Sequence, residues 1–116
     1  MGAPFVWFDL IAADGEQVST FYRDLSGWSI GPGMGDYHGW ITDKEQPWAG
    51  IMPGEPGTPG QWVPYVAVDD LEAAVKQATA LGGTVVREKA DGPAGSSVFV
   101  ADPSGGVVAL FTPAAR

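Results

Sequence analysis

Apolar positions recur along this chain with two different periods. From Phe5 to Ile11 the residues are apolar except for one Asp, the pattern of a largely buried strand. Val18, Phe21, Tyr22 and Leu25 then fall at i, i+3, i+4 and i+7, one face of a helix. Asp14 stands at the cap position, Gln17 completes a capping box, and Gly27 offers a left-handed exit. Trp28 to Ile30 begins a second strand. Gly31-Pro-Gly-Met-Gly35 reads as a turn or flexible loop, Tyr37 to Thr42 as a third strand, Asp43 to Pro47 as a turn, and Trp48 to Met52 as a fourth strand. Pro53 to Gly60, PGEPGTPG, excludes helix and central strand and predicts a linker.

The second half repeats this plan. Gln61 to Val68 is a strand, and Asp69 or Asp70 caps a helix whose Leu71, Ala74, Val75, Ala78 and Leu81 form one apolar stripe. Gly82-Gly83 ends it. Thr84 to Arg87 is a strand, Ala90 to Gly95 a loop, Ser96 to Ala101 a strand, Asp102 to Gly106 a turn, and Val107 to Thr112 the last strand. An offset of 56 residues aligns Asp14 with Asp70, Leu25 with Leu81 and Gly27 with Gly83. An offset of 59 aligns Trp40-Ile-Thr-Asp43 with Phe99-Val-Ala-Asp102. The order βαβββ, twice, predicts an α+β fold in one domain, 1–116: module 1 over about 1–53, a linker at 54–60, and module 2 over about 61–113.

Composition narrows the function classes. At 116 residues and 45% hydrophobic, the chain has enough material for one core. No apolar run reaches membrane-spanning length and no leader pattern precedes the first strand, so the expectation is a soluble cytoplasmic protein with no membrane partner. The absence of Cys excludes disulfides and thiolate chemistry. A formal charge of −8 argues against nucleic acid; solubility is its first reading, and attraction for cationic ligands the sharper one. Five Trp in so short a chain supply aromatic surface suited to binding.

Two βαβββ units with Asp14 through Trp28, Val68-Asp-Asp-Leu, Leu81-Gly-Gly and Asp102-Pro-Ser-Gly resemble the vicinal oxygen chelate superfamily, which includes glyoxalase I, extradiol dioxygenases and bleomycin-resistance proteins. Trp48-Ala-Gly-Ile-Met-Pro53 and the Pro-rich linker are similar to actinobacterial glyoxalase or bleomycin-resistance-like members. The resemblance implies a half-open, cup-shaped mixed sheet with helices on the convex face, and a homodimer. It also implies metal ligands on the first and last strand of each module. Those positions carry Trp7, Gly50 (or Ala49), Val63 and Ala109, none with a donor side chain. The expectation is therefore no metal and no cofactor.

Strand alternation gives the cup its lining. Phe5, Trp7 and Asp9 share one face of the first strand; Trp48, Gly50 and Met52 share a face of the fourth; Val63, Tyr65 and Ala67 follow, then Val107, Ala109 and Phe111. The 59-residue offset adds His38, Trp40, Ser97 and Phe99. The expected ligand-binding residues are Phe5, Trp7, Asp9, His38, Trp40, Trp48, Met52, Val63, Tyr65, Phe99 and Phe111. His38 and Asp9 are the candidates for acid–base catalysis. Core packing or a dimer interface is the competing use of the aromatic face, and a hydrogen bond to Tyr65 or to backbone the competing use of Asp9. The function expected is binding of a small aromatic or cationic molecule, a drug or natural product. The alternative is a metal-independent lyase or isomerase acting on a natural product, with a metal-dependent glyoxalase or dioxygenase further behind.

Overall fold

The computed structural model describes residues 5–92 and 94–114. Its elements are β1 (Trp7–Ala12), α1 (Gly15–Ser26), β2 (Ser29–Pro32), β3 (Gly39–Asp43), β4 (Gln46–Pro53), β5 (Gln61–Ala67), α2 (Leu71–Ala80), β6 (Thr84–Gly92), β7 (Gly95–Ala101) and β8 (Val107–Pro113). The class is α+β with the βαβββ order twice, as the repeat predicts. No helix among the described residues is long and apolar enough to cross a membrane. The described residues form two compact units, Trp7–Val63 and, in the other, 5–6 with 64–92 and 94–114.

In the first unit the strands lie in the order β2-β3-β4-β1, with β1 parallel to β4 and the other pairs antiparallel. Asp14 caps α1 by accepting from the Gln17 backbone N–H at 3.0 Å, and Gly27 leaves it at φ 70 while donating to the Arg23 carbonyl. Leu10, Ala12, Ile41, Ala49 and Ile51 form the buried core, with Val18 and Tyr22 of α1 packed on them. Phe21 and Leu25, expected on the buried stripe, are instead 56% and 68% exposed. The helix is turned so that the fully buried Ser19, next to Tyr22 on the helix surface, lies on its inner side; Ser19 donates its hydroxyl to the Gly15 carbonyl at 2.7 Å. The His38 ring fills the space that a side chain at Gly15 would need, and the bulky pair Phe21 and Leu25 is left outside.

The second unit has the order β5-β8-β7-β6, with β5 parallel to β8. Asp70, not Asp69, caps α2, accepting from Ala73 N–H at 3.1 Å. Leu71, Ala74, Val75 and Ala78 cover Val68, Val98, Val100 and Leu110 as the stripe predicts, while Leu81 is 71% exposed beyond the last turn. The predicted loop from Ala90 to Gly95 is largely strand: β6 continues to Gly92 and pairs with β7 through Ala90, Asp91 and Gly92. In the following turn the Asp102 carboxylate accepts from the Ser104 hydroxyl, the Ser104 N–H and the Gly106 N–H, and these bonds, the Ser104 hydroxyl first, hold its carboxyl below the ordinary 3.8.

The β3–β4 hairpin closes on two residues, Lys44 and Glu45, at φ 50 and 69. Positive φ at both central positions is the type I′ turn that suits the strand twist, yet neither residue is Gly or Asn. Replacing Lys44-Glu45 with Asn-Gly is expected to raise the unfolding free energy by about 1 kcal/mol, read as a higher urea midpoint at unchanged m-value. An unchanged midpoint would show that this strain is already relieved.

Candidate functional site

In the first unit the sheet face opposite α1 is organised by Asp9. Leu10 on one side of β1 enters the core, so Trp7 and Asp9 point the other way. Asp9 is completely buried, and its Oδ1 accepts from the Trp7 indole N–H at 2.8 Å and from the Tyr37 hydroxyl at 2.8 Å. Trp40 meets Trp7 edge-on with centroids 5.8 Å apart, and Tyr37 lies 4.4 Å from Trp40. Trp7, Tyr37 and Trp40 are each half-buried. They form an aromatic wall over a buried carboxylate.

Gly50 makes this packing possible. It lies beside Asp9 on β1 and Trp40 on β3, and a Cβ there would run into the Tyr37 ring. The equivalent triple in the second unit is Tyr65, Ala109 and Phe99, paired in the same register. There Tyr65 meets Phe99 and Phe111 with centroids 6.1 and 5.9 Å apart. Ser97, buried on the same face of β7, accepts from Arg87.

Of the residues expected to line the cup, Trp7, Asp9 and Trp40 come together in the first unit, and Tyr65, Phe99 and Phe111 come together in the second. Met52 follows Gly50 on β4 and is half-buried, Val63 is wholly buried, and Phe5 is 47% exposed. Two residues lie elsewhere. His38 does not share the Trp40 face: it sits over Gly15 at the start of α1, 3.7 Å from the Glu16 carboxylate. The chain before Gly39 is turn rather than strand, closed by Tyr37 N–H on the Met34 carbonyl and Gly33 N–H on the His38 carbonyl, so alternation does not reach back to His38. Tyr37 takes the place expected for His38.

Trp48 also leaves the expected face. Ile41 pairs with Ala49 but Thr42 pairs with Pro47, so Trp48 is the extra residue of a bulge. It packs instead among Phe8, Trp28 and Trp62, beside the Tyr22–Trp28 stack. A shallow cleft of about 760 Å³ borders Trp28, Trp48, Asp43 and Lys44 on that side, away from Asp9.

Two residues of these faces were not foreseen, Tyr37 and Arg87. A turn-rich GPGMG stretch warns that strand alternation fails nearby, which was the available signal for Tyr37. Arg87 owes its direction to a register shift on β6 that leaves no mark in the sequence.

The donor set does not fit a divalent ion. Trp7, Gly50, Val63 and Ala109 offer no ligand atom, the Tyr37 ring fills the space that a side chain at Gly50 would need, and among the described residues no three of His, Asp or Glu converge. What remains on this face is a wall of rings over a buried carboxylate, chemistry that suits flat or cationic groups.

The chain belongs to the glyoxalase-like domain family, whose profile matches residues 5–111. It is 35% identical over 114 residues to the Mycobacterium bovis protein named "Putative glyoxylase CFP32", covering 90% of this chain and 44% of that protein. It is 32% identical over 133 residues to the anthracycline biosynthesis protein DnrV of Streptomyces peucetius, covering 95% and 46%. The chain thus spans less than half the length of these curated relatives. Among solved structures, the Mn(II)-bound glyoxalase of Novosphingobium aromaticivorans superimposes with a TM-score of 0.64 at 17% identity, over 93% of this chain and 38% of that one. The methylmalonyl-CoA epimerase of Mycobacterium tuberculosis gives 0.60 at 19%, over 99% and 94%. At these identities the likeness is one of fold.

Proposed function

We propose that this protein binds a small flat aromatic molecule, preferably cationic, on the Trp7–Tyr37–Trp40 wall, and does so without a metal. The observation that carries the reading is the buried Asp9 carboxylate fixed by the Trp7 indole and the Tyr37 hydroxyl behind half-buried rings. A carboxylate behind the ring wall adds to the negative faces of the rings, and both attract a cation. The net charge of −8 acts in the same direction at longer range. Sequestration of a drug or natural product needs only this affinity. The resemblance to bleomycin-resistance proteins supports a homodimer, which sedimentation at micromolar concentration checks.

A second reading is supported by the relatives named for anthracycline biosynthesis: metal-independent conversion of a natural product held on the same ring wall. His38 is not needed in either reading.

All five Trp lie in the first unit, so intrinsic fluorescence reports on it directly. Proflavine, a planar aromatic cation, is expected to quench this fluorescence and raise the melting temperature. Trp40→Leu should weaken binding about tenfold, the size of one partly desolvated cation–π contact. His38→Ala should bind like the parent. If proflavine and a wider panel of planar amines give neither quenching nor thermal shift, the proposal fails; equal loss in His38→Ala and Trp40→Leu would mean the wrong face.

A further inference from the structure

We propose that Arg87, held by Ser97 and Phe99, forms an anion subsite on the second unit for the carboxylate of an organic acid. It goes beyond the Asp9 reading and stands on different residues. The Arg87 guanidinium lies over the Phe99 ring, 3.6 Å from Cζ to the centroid, and Nη2 donates to Ser97 Oγ at 3.0 Å. Its Nε–H is buried and has no acceptor among the described residues. Among the described residues, Arg87 has no ion-pair partner within 4.0 Å; the pairs present join His38 to Glu16, Lys76 to Glu72 and Lys89 to Asp91. In a chain with fourteen acids and six bases, an arginine held at an aromatic face without a carboxylate is a notable arrangement.

The backbone is built to produce it. Val85 pairs with Val100 and Arg87 pairs with Phe99, so Val86 is an extra residue in β6 and is turned out, 53% exposed. Without that insertion Arg87 would oppose Val98, whose side chain belongs to the core under α2. The bulge therefore moves a cation from the helix side to the face carrying Tyr65, Ser97 and Phe99. Once there, stacking on Phe99 and the bond to Ser97 fix the plane of the guanidinium and leave N–H groups unassigned. A buried donor with no acceptor is costly, and the group that satisfies a planar guanidinium edge best is a carboxylate taking two parallel bonds. Phe99 and Tyr65 are themselves buried, so they seat the guanidinium, and the ligand meets its outer N–H edge.

The test uses 2-naphthoate and its neutral counterpart 2-naphthamide with the whole protein. The Arg87 Nε–H signal in a nitrogen-15 correlation spectrum, assigned by its loss in Arg87→Lys, is expected to shift on titration with naphthoate and hardly at all with the amide. Naphthoate should bind about tenfold or more tightly than the amide, and Arg87→Met, which keeps the apolar stem over Phe99, should abolish the difference. The inference is overturned if naphthoate leaves the Nε–H signal unmoved, if neither compound binds, or if Arg87→Met keeps the preference. Should Arg87→Met fail to fold, the parent's Nε–H titration decides alone. Because this readout is Arg87 and the proflavine readout is tryptophan, either proposal can fail while the other stands.

Discussion

Replacing Asp9 with alanine should lower the unfolding free energy by about 3 kcal/mol, measured from urea denaturation at neutral pH. The variant removes the acceptor shared by the Trp7 indole and the Tyr37 hydroxyl. Two partly buried donors are then left to find new acceptors, and each such loss costs about 1–3 kcal/mol. A cavity replaces the carboxylate at a position with no exposed surface. Asp9→Asn keeps an acceptor oxygen of the same shape, so its expected cost is much smaller, about 1 kcal/mol. If alanine costs no more than asparagine, Asp9 does not organise the wall, and the binding proposal loses its main support.

Gly50→Ala should cost about 2–3 kcal/mol, although it adds one methyl group to a strand. The added Cβ meets the Tyr37 ring directly and approaches the Trp40 ring to 3.2 Å. Gly50 is buried between β1 and β3, so its backbone has little freedom to move aside. The decisive measurement is the double variant. In a Tyr37→Ala background the same Gly50→Ala change should cost less than about 1 kcal/mol, because the space has been vacated. Equal costs in both backgrounds would show that the clash is with backbone and that Tyr37 is not seated as described. The same cycle bears on the metal question. A ligand-bearing side chain at position 50 and the Tyr37 ring compete for one volume, so occupation by the ring and coordination from that strand exclude each other.

Most of the fold was legible in the sequence because it is written locally and twice. Asp14 and Asp70 cap their helices, Gly27 ends the first in the left-handed region, and Leu71, Ala74, Val75 and Ala78 face the second unit's core. The repeat is confirmed in detail by register: Trp40 pairs with Gly50 as Phe99 pairs with Ala109, each 59 residues on. The exposed positions of Phe21 and Leu25 were not legible, since the helix period fixes a stripe but not how far small residues such as Gly15 and Ser19 will rotate it.

The site was legible only where strands are regular. Trp7, Asp9, Trp40, Tyr65 and Phe99 follow from alternation along β1, β3, β5 and β7. His38, Trp48 and Arg87 do not, and in each case the backbone departs from period two: a turn before β3, a bulge in β4 and a bulge in β6. One extra residue reverses the face of a strand's side chains, and its position depends on the partner strand.

By itself, then, the sequence determined the α+β class, the duplicated βαβββ order, the two helix caps and the lack of donor side chains at Trp7, Gly50, Val63 and Ala109. These depend on residue type and near neighbours. Only the tertiary structure decided that Tyr37 rather than His38 reaches Asp9, that Trp48 joins the core beside Trp28, and that Arg87 lies on Phe99. Those outcomes rest on strand register and on space left by glycine, which are properties of pairs of segments far apart in the chain.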